Sequence, residues 1–340
     1  MKVLLILPTG TKKTCGNWIT AERLEQGLKS FGIINDIKEV KDVNKAILEK
    51  YDIVHCFHAV KTSLSMEKML NCLEIPWVVT FTGTDLEALY NPKMELKLRN
   101  LLYKARTVFV FHKQAKTWLN NSQVVALDKI KVIPQTIMPL QIGDNISFRS
   151  KWNISDHDFV FLFAGGIREV KGPLEALELI EPLAEKRNDL KLIMAGPILE
   201  PEVGQKLFKR LSSIGWAEYI GEVSHHLMSN LFHAADVVIN TSRSEGMPNT
   251  LLEAMSMGCA ILAKDIPGNR AVVRNGVDGF LFKNNKDFFM LAKRLMTNEK
   301  IRFKVVDAAL KRAEGLNPQI EAQEYLKAYR KAENISYYRK

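Results

Sequence analysis

The stretch SEGMPNTLLEAMSMGCAILAKDIPGNRAVV, Ser244 to Val273, sets the reading of the whole chain. An apolar run, Val237-Val238-Ile239, precedes it between Asp236 and Asn240 and reads as a buried strand that opens into a polar loop. That loop holds Glu245 and Gly246. A helix is expected from Pro248 or Asn249, because proline suits a first helical position and asparagine a cap. It runs through Leu251, Leu252, Ala254 and Met255 and stops at Gly258. A second apolar run, Ala260 to Ala263, and a turn at Pro267-Gly268 complete a strand, loop, helix, strand unit. Open α/β sheets bind ligands at the carboxyl ends of their strands, where this loop and helix start fall.

Two carboxylates, Glu245 and Glu253, lie eight residues apart across the turn. On one continuous helix that spacing would be roughly 12 Å, wider than the carboxyl pairs of glycoside hydrolysis at about 5 to 9.5 Å. They therefore read as two separate grips, one in the loop and one about a turn into the helix, with unpaired backbone N–H groups between them. A helix start of this kind attracts phosphate. An ionised carboxylate accepts two hydrogen bonds at once and so suits vicinal hydroxyls. A ligand with hydroxyl-rich ends and phosphates in the middle, a nucleotide-sugar, fits the pattern.

Glu-x7-Glu in this setting resembles the donor-site motif of retaining glycosyltransferase family 4, the "group 1" enzymes of the GT-B fold. Leu-Leu-Glu-Ala-Met at 251–255 and the stop Ser256-Met257-Gly258 strengthen the likeness, which is densest over 160–282. The resemblance implies that Glu245 faces the sugar hydroxyls and Glu253 holds the ribose. Gly246, Met247, Asn249, Thr250 and Leu251 would line the donor, with backbone N–H groups near Thr250 and Leu251 on the diphosphate. Upstream, a buried run, Phe159–Ala164, is followed by Gly165-Gly166-Ile167-Arg168-Glu169-Val170-Lys171-Gly172. Its glycines permit close backbone approach and its two cations supply charge. The family's diphosphate clamp maps onto Arg168 and Lys171, with Gly166 beside them. Many members place the arginine five residues before the lysine; here it stands three before. That spacing, and Pro267-Gly268-Asn269 in place of the commoner Gly-Gly-x-Pro-Glu, are shared with a narrower branch. The branch contains the glycosyltransferase 1 domain-containing protein of animals and the bacterial selenosugar synthases. The loop Gly221-Glu222-Val223-Ser224 corresponds to the one over the nucleobase, which points to Val223 and Ser224. His225 and His226 read as the start of the next helix, since adjacent histidines point in different directions on a helix.

Composition bounds the alternatives. At 340 residues the chain suffices for two domains, and 46% apolar with 25% charged residues is a globular balance. No apolar run of about 18 residues marks a membrane span, and Val3–Leu7 is too short for a signal peptide. Four cysteines, Cys15, Cys56, Cys72 and Cys259, form neither a metal set nor a disulfide framework, which suggests a reducing cytoplasm. No cofactor or metal is expected. The net charge of +10 is concentrated early: residues 1–150 carry 21 Lys and Arg against 14 Asp and Glu. A basic first half suits an anionic acceptor or peripheral contact with an acidic membrane surface, or is simply a solvated lysine-rich face. No motif points to nucleic acid.

The first half offers acceptor-side candidates at strand ends. Gly16 and Asn17 close a polar loop, PTGTKKTCGN, ahead of a helix expected over Thr20–Ser30. His58 and Lys61 follow a strand beginning at Ile53-Val54. Thr84 and Asp85 follow another over Trp77–Phe81, with Asp85 either a hydroxyl acceptor or a cap for the helix from Leu86. Many family members carry a histidine near Thr82 that reaches the donor sugar; this chain does not. Loss of periodicity places a linker at about 138–152. The expected architecture is α/β, GT-B: two doubly wound Rossmann-like domains facing across a cleft. Residues 1–140 form the acceptor side, 152–317 bind the donor, and an amphipathic helix over about 318–340, through Ile320, Tyr325, Leu326 and Tyr329, packs back on the first domain. The resemblance implies retaining transfer of a hexosyl or N-acetylhexosaminyl group from a nucleotide diphosphate sugar, UDP by family habit, to a small or anionic acceptor. A nucleotide-sugar epimerase or hydrolase, or a non-catalytic nucleotide-sugar-binding protein, are the alternatives.

Overall fold

The computed structural model describes residues 1–11, 14–138, 140, 148–152 and 154–337, with side chains up to 333. Most of the expected linker lies outside the described residues. The chain divides into two compact units: Met1–Thr136 with Glu245–Met247 and Asn317–Lys340, and Ile137–Ser244 with Pro248–Leu316.

The first unit is built on six parallel strands: β1 (Lys2–Leu7), β2 (Ile34–Glu39), β3 (Ile53–Phe57), β4 (Trp77–Thr80), β5 (Thr107–Val110) and β6 (Ile130–Val132). They lie in the order β2-β1-β3-β4-β5-β6. Both faces are covered, as parallel sheets require. Leu4, Ile6, Val54, Cys56 and Val79 point into one apolar cluster, whereas Val3, Leu5, Leu7, Ile53 and Phe57 point into another, shared with Tyr325 and Tyr329 of the last helix. The alternation of neighbours along β1 and β3 is the period-two side-chain rule.

That last helix, Pro318–Tyr337, packs on the helix Gly16–Ser30. The approach is close enough that a Cβ on Gly27 would lie 2.5 Å from Ala322 Cβ. Its buried stripe differs from the expected one. Ile320 is 58% exposed, while Glu321 is buried and ion-paired with buried Arg23, Nε to Oε2 at 2.8 Å. The helix after β1 also starts earlier than expected, so Gly16 and Asn17 form its first turn rather than the end of a loop.

The second unit contains β7 (Phe159–Ala164), β8 (Leu190–Ala195), β9 (Ala217–Tyr219), β10 (Val237–Asn240), β11 (Ala260–Lys264) and β12 (Phe280–Phe282), in the order β12-β11-β10-β7-β8-β9. The chain builds outward from β7 to β9, then returns to the far side of β7 with β10. The reversal therefore falls between β7 and β10, paired in parallel at Phe161↔Val237 through Phe163↔Ile239. Ligand crevices of doubly wound sheets open at the carboxyl ends of such a pair. Among the described residues no helix is long and apolar enough to cross a membrane. Cys56 and Cys259 are buried, one in each unit, and burial pushes both thiols up to about 12; Cys72 is exposed.

Candidate functional site

Two loops leave the β7–β10 reversal, and the chain stitches them together. The loop after β7 makes a short 3-10 turn at Glu169–Lys171 and ends at Gly172, whose φ of 67° is left-handed. A Cβ there would also sit 2.7 Å from Thr241 O, so only glycine fits. Thr241, the first residue after β10, donates its hydroxyl to Lys171 O (3.0 Å) and Gly172 O (2.8 Å), and Arg243 N donates to Val170 O (2.8 Å). On the other flank, Gly196 meets the loop's start: a Cβ there would lie 2.1 Å from Gly165 O. Ile167 N donates to Pro197 O at 2.8 Å. The loop carrying Arg168 and Lys171 is thus pinned by backbone contacts on both sides.

Arg168 is half-buried and extended, and its Nε is buried with no hydrogen-bond partner among the described residues. A buried guanidinium N–H without an acceptor is costly and marks a place for an anion. Gly166 lies under Leu199, whose Cδ1 would be 2.5 Å from an added Cβ. Asn240 fastens the base of the second loop: its Oδ1 accepts from Ser242 N (3.0 Å) and from Nδ2 of buried Asn269 (3.1 Å). Asn269 also donates to Lys264 O (2.8 Å). The Ile-Pro-Gly-Asn variant therefore ties the ends of β10 and β11 together.

The helix after β10 runs Asn249–Ser256, with Pro248 at its N-cap. Asn249 and Thr250 open its first turn, half-buried. The Leu251 amide, expected to face phosphate, donates instead to Pro248 O (3.2 Å), and its side chain is fully buried. Glu253 is buried on this helix, and its Oε1 lies 3.3 Å from His225 Nε2. His225 opens the 3-10 turn His225–Leu227, after Val223 and Ser224. The sequence pattern puts His225 at a helix start, but nothing in a 28-residue separation signals its approach to Glu253.

Glu245, Gly246 and Met247 group with the first unit. Glu245 is half-buried. Gly246 lies against the loop after β4, where a Cβ would be 2.4 Å from Thr82 O. Met247 is buried and accepts at its carbonyl from Gln135 Nε2 (2.5 Å).

The other first-unit candidates gather at the ends of β3 and β4. His58 has a left-handed φ of 74°, unusual for a side-chain-bearing residue. Its Nδ1 accepts from Lys61 N (3.1 Å), which places the ring proton on Nε2, 3.4 Å from Thr84 Oγ1. Lys61 is exposed. Asp85 does not cap the following turn with its side chain. Its carboxylate accepts from the backbone N–H of Ala59 (2.8 Å), Gly83 (2.9 Å) and Thr82 (3.0 Å), which binds the two loops. Gly16 is exposed and Asn17 half-buried at the helix start after β1. No cluster of three or more His, Cys, Asp or Glu is gathered for a metal among the described residues.

Two Rossmann-like sheets, the second with its loops pinned at the strand-order reversal, define the GT-B class of glycosyltransferase folds. Residues 144–312 match the family described as glycosyl transferases group 1, and through this segment the chain belongs to that family. It is 29% identical over 314 residues to the glycosyltransferase 1 domain-containing protein 1 of Xenopus tropicalis, covering 86% of this chain and 88% of that one. It is 27% identical over 293 residues to the UDP-Gal:alpha-D-GlcNAc-diphosphoundecaprenol alpha-1,3-galactosyltransferase of Escherichia coli, covering 80% and 73%. Among solved structures, Anabaena HepE in complex with UDP and glucose superposes with a TM-score of 0.77 at 18% identity, over 96% of this chain and 98% of that one. Sucrose-phosphate synthase from Thermosynechococcus elongatus does so with a TM-score of 0.81 at 14% identity, over 97% and 99%. At those identities the likeness speaks for the fold.

Proposed function

We propose that this group 1 glycosyltransferase moves a hexosyl or N-acetylhexosaminyl group from a UDP-sugar to a small or anionic acceptor, with retention at the anomeric carbon. The observation that carries this is the loop at the β7–β10 reversal, which holds Arg168 with a buried, unpartnered Nε beside Lys171. In this reading the two cations stabilise the diphosphate as negative charge develops on it, with the first-turn amide of Thr250 adding a dipole. Glu253, steadied by His225, takes the ribose hydroxyls, and Val223 and Ser224 lie by the base. Glu245 grips the sugar hydroxyls. The bond from C1 to the phosphate oxygen breaks as the acceptor oxygen bonds C1 from the same face, and the acceptor's proton passes to the departing phosphate oxygen. No protein nucleophile, metal or cofactor enters. UDP is favoured because it is named for the Escherichia coli relative and held by HepE. His58, Thr84 and the helix start at Gly16 and Asn17 are the acceptor-side groups.

The test is a panel of radiolabelled UDP-glucose, UDP-galactose and UDP-N-acetylglucosamine with phosphate-bearing and neutral acceptors. Turnover of one donor, lost in Glu245→Ala, supports the reading. Equal turnover in Glu245→Ala, or product from donor and water alone, overturns it.

A further inference from the structure

We infer that Gln135 is a positioning residue for the Glu245 carboxylate and that an ion pair completed by the last helix orients it in turn. This rests on the proposed role of Glu245. Gln135 follows β6 and is 3% exposed. Its Oε1 accepts from Thr20 Oγ1 (2.6 Å) and Arg23 Nη2 (2.8 Å). Arg23 has only donors, so the atom facing it must be the amide oxygen, and this fixes which way the amide faces. The NH2 group is thereby aimed at Met247 O, 2.5 Å away, while the Gln135 backbone N–H lies 3.3 Å from Met247 Sδ. Arg23 is in turn held by both oxygens of Glu321, at 2.8 and 3.2 Å. Glu321 Oε2 also accepts from Thr136 N (3.1 Å) and Thr136 Oγ1 (2.5 Å).

The tripeptide is fixed at a second point. Gly246 lies backbone to backbone against Thr82 and Gly83, since a Cβ on Gly83 would be 2.3 Å from Gly246 N. The Asp85 carboxylate anchors the amides of both Thr82 and Gly83. Met247 is thus held by the Gln135 side and Gly246 by the Asp85 side, two residues and one residue beyond Glu245. A carboxylate that must meet sugar hydroxyls in one geometry needs such support, and displacement by about 1 Å costs on the order of 100-fold in rate. Gln135 belongs to no sequence motif and is 112 residues from its partner.

Gln135→Met keeps the volume and removes the three side-chain amide hydrogen bonds. The expected result is UDP affinity within about two-fold of the parent, but kcat/KM for the best UDP-hexose of the panel down by about 10- to 100-fold. Most of the loss should fall in kcat. Glu245→Ala should lose as much, and the double variant little more. Parent-like kcat/KM in folded Gln135→Met, with Glu245→Ala inactive, overturns the inference and leaves the proposed function standing. An equal fall in UDP affinity overturns it as well, because that would be a general loss of structure. Activity in Glu245→Ala removes the proposed function first. Should Gln135→Met fail to fold, Thr20→Val, which deletes one donor to the amide oxygen, carries the same comparison: a smaller fall in kcat with unchanged UDP affinity supports the inference, and parent-like kcat overturns it.

Discussion

Single atoms decide the chemistry of the second unit. Arg168 is expected to matter through its Nε as well as its charge, so Arg168→Lys should behave more like Arg168→Ala than like the parent, because an ammonium cannot reproduce a guanidinium N–H. Initial rates with the labelled donor should fall by about 10²- to 10³-fold in both; a Lys variant within threefold of the parent would reduce Arg168 to a point charge. The glycines set the loop. Gly196→Ala would force a Cβ against Gly165 O, a backbone atom that cannot swing aside, at a left-handed φ of 142°. It should cost more than about 2 kcal/mol in a urea titration, whereas Gly215→Ala, with open space around it, should cost little. The Glu-x7-Glu spacing and the two cations stand out in the sequence because the chemistry expected of them needs particular side chains. His225, Gln135 and the true task of Asp85 do not. Their roles come from partners 28, 112 and up to 26 residues away that only the fold brings near.

At the scale of elements, the apolar runs announce β3, β4, β7, β10 and β11. β2, INDIKE at Ile34–Glu39, escaped notice because it is an edge strand with mixed exposure and charged residues. The last helix is expected from its periodicity, with Ile320 on the buried stripe beside Tyr325, Leu326 and Tyr329. Ile320 is exposed instead, and Glu321 is buried because Arg23 supplies a countercharge that no helical pattern encodes. A buried pair of this kind is dangerous to break. Glu321→Gln leaves Arg23 uncompensated and Thr136 with a weaker acceptor, and should lower stability by about 3–5 kcal/mol. Replacing Arg23 by Met alongside it should recover only part of that, since Gln135 also loses a partner. Denaturant midpoints of the three proteins check this.

For the molecule as a whole, two buried histidines of the first unit make stability fall in acid. His55 lies between Tyr329 Oη (2.5 Å) and Thr80 Oγ1 (2.7 Å), and burial lowers it from 6.5 to about 3. His112 accepts from Ala115 N, and burial lowers it to about 4. Unfolded, both take up protons from about pH 6.5 downward; folded, they resist until pH 3–4. The unfolded chain therefore binds more protons across that window, and stability falls as pH falls. Each should remove roughly 1.4 kcal/mol per pH unit below 6.5. Urea midpoints at pH 7 and 4.5 should show the drop, and His55→Gln, weaker at pH 7, should show a shallower slope. An unchanged slope would place the acid response elsewhere.

The two buried cysteines give the molecule a built-in pair of clocks. A thiol-reactive electrophile added to the native protein meets Cys72 at once, while Cys56 and Cys259 are shut away and hold their protons. Each becomes modifiable only when its own unit opens. Mass spectrometry of the two tryptic peptides over time would thus time the opening of each half separately, with no engineered label, and UDP should slow the Cys259 clock if the donor sits where the pinned loops suggest.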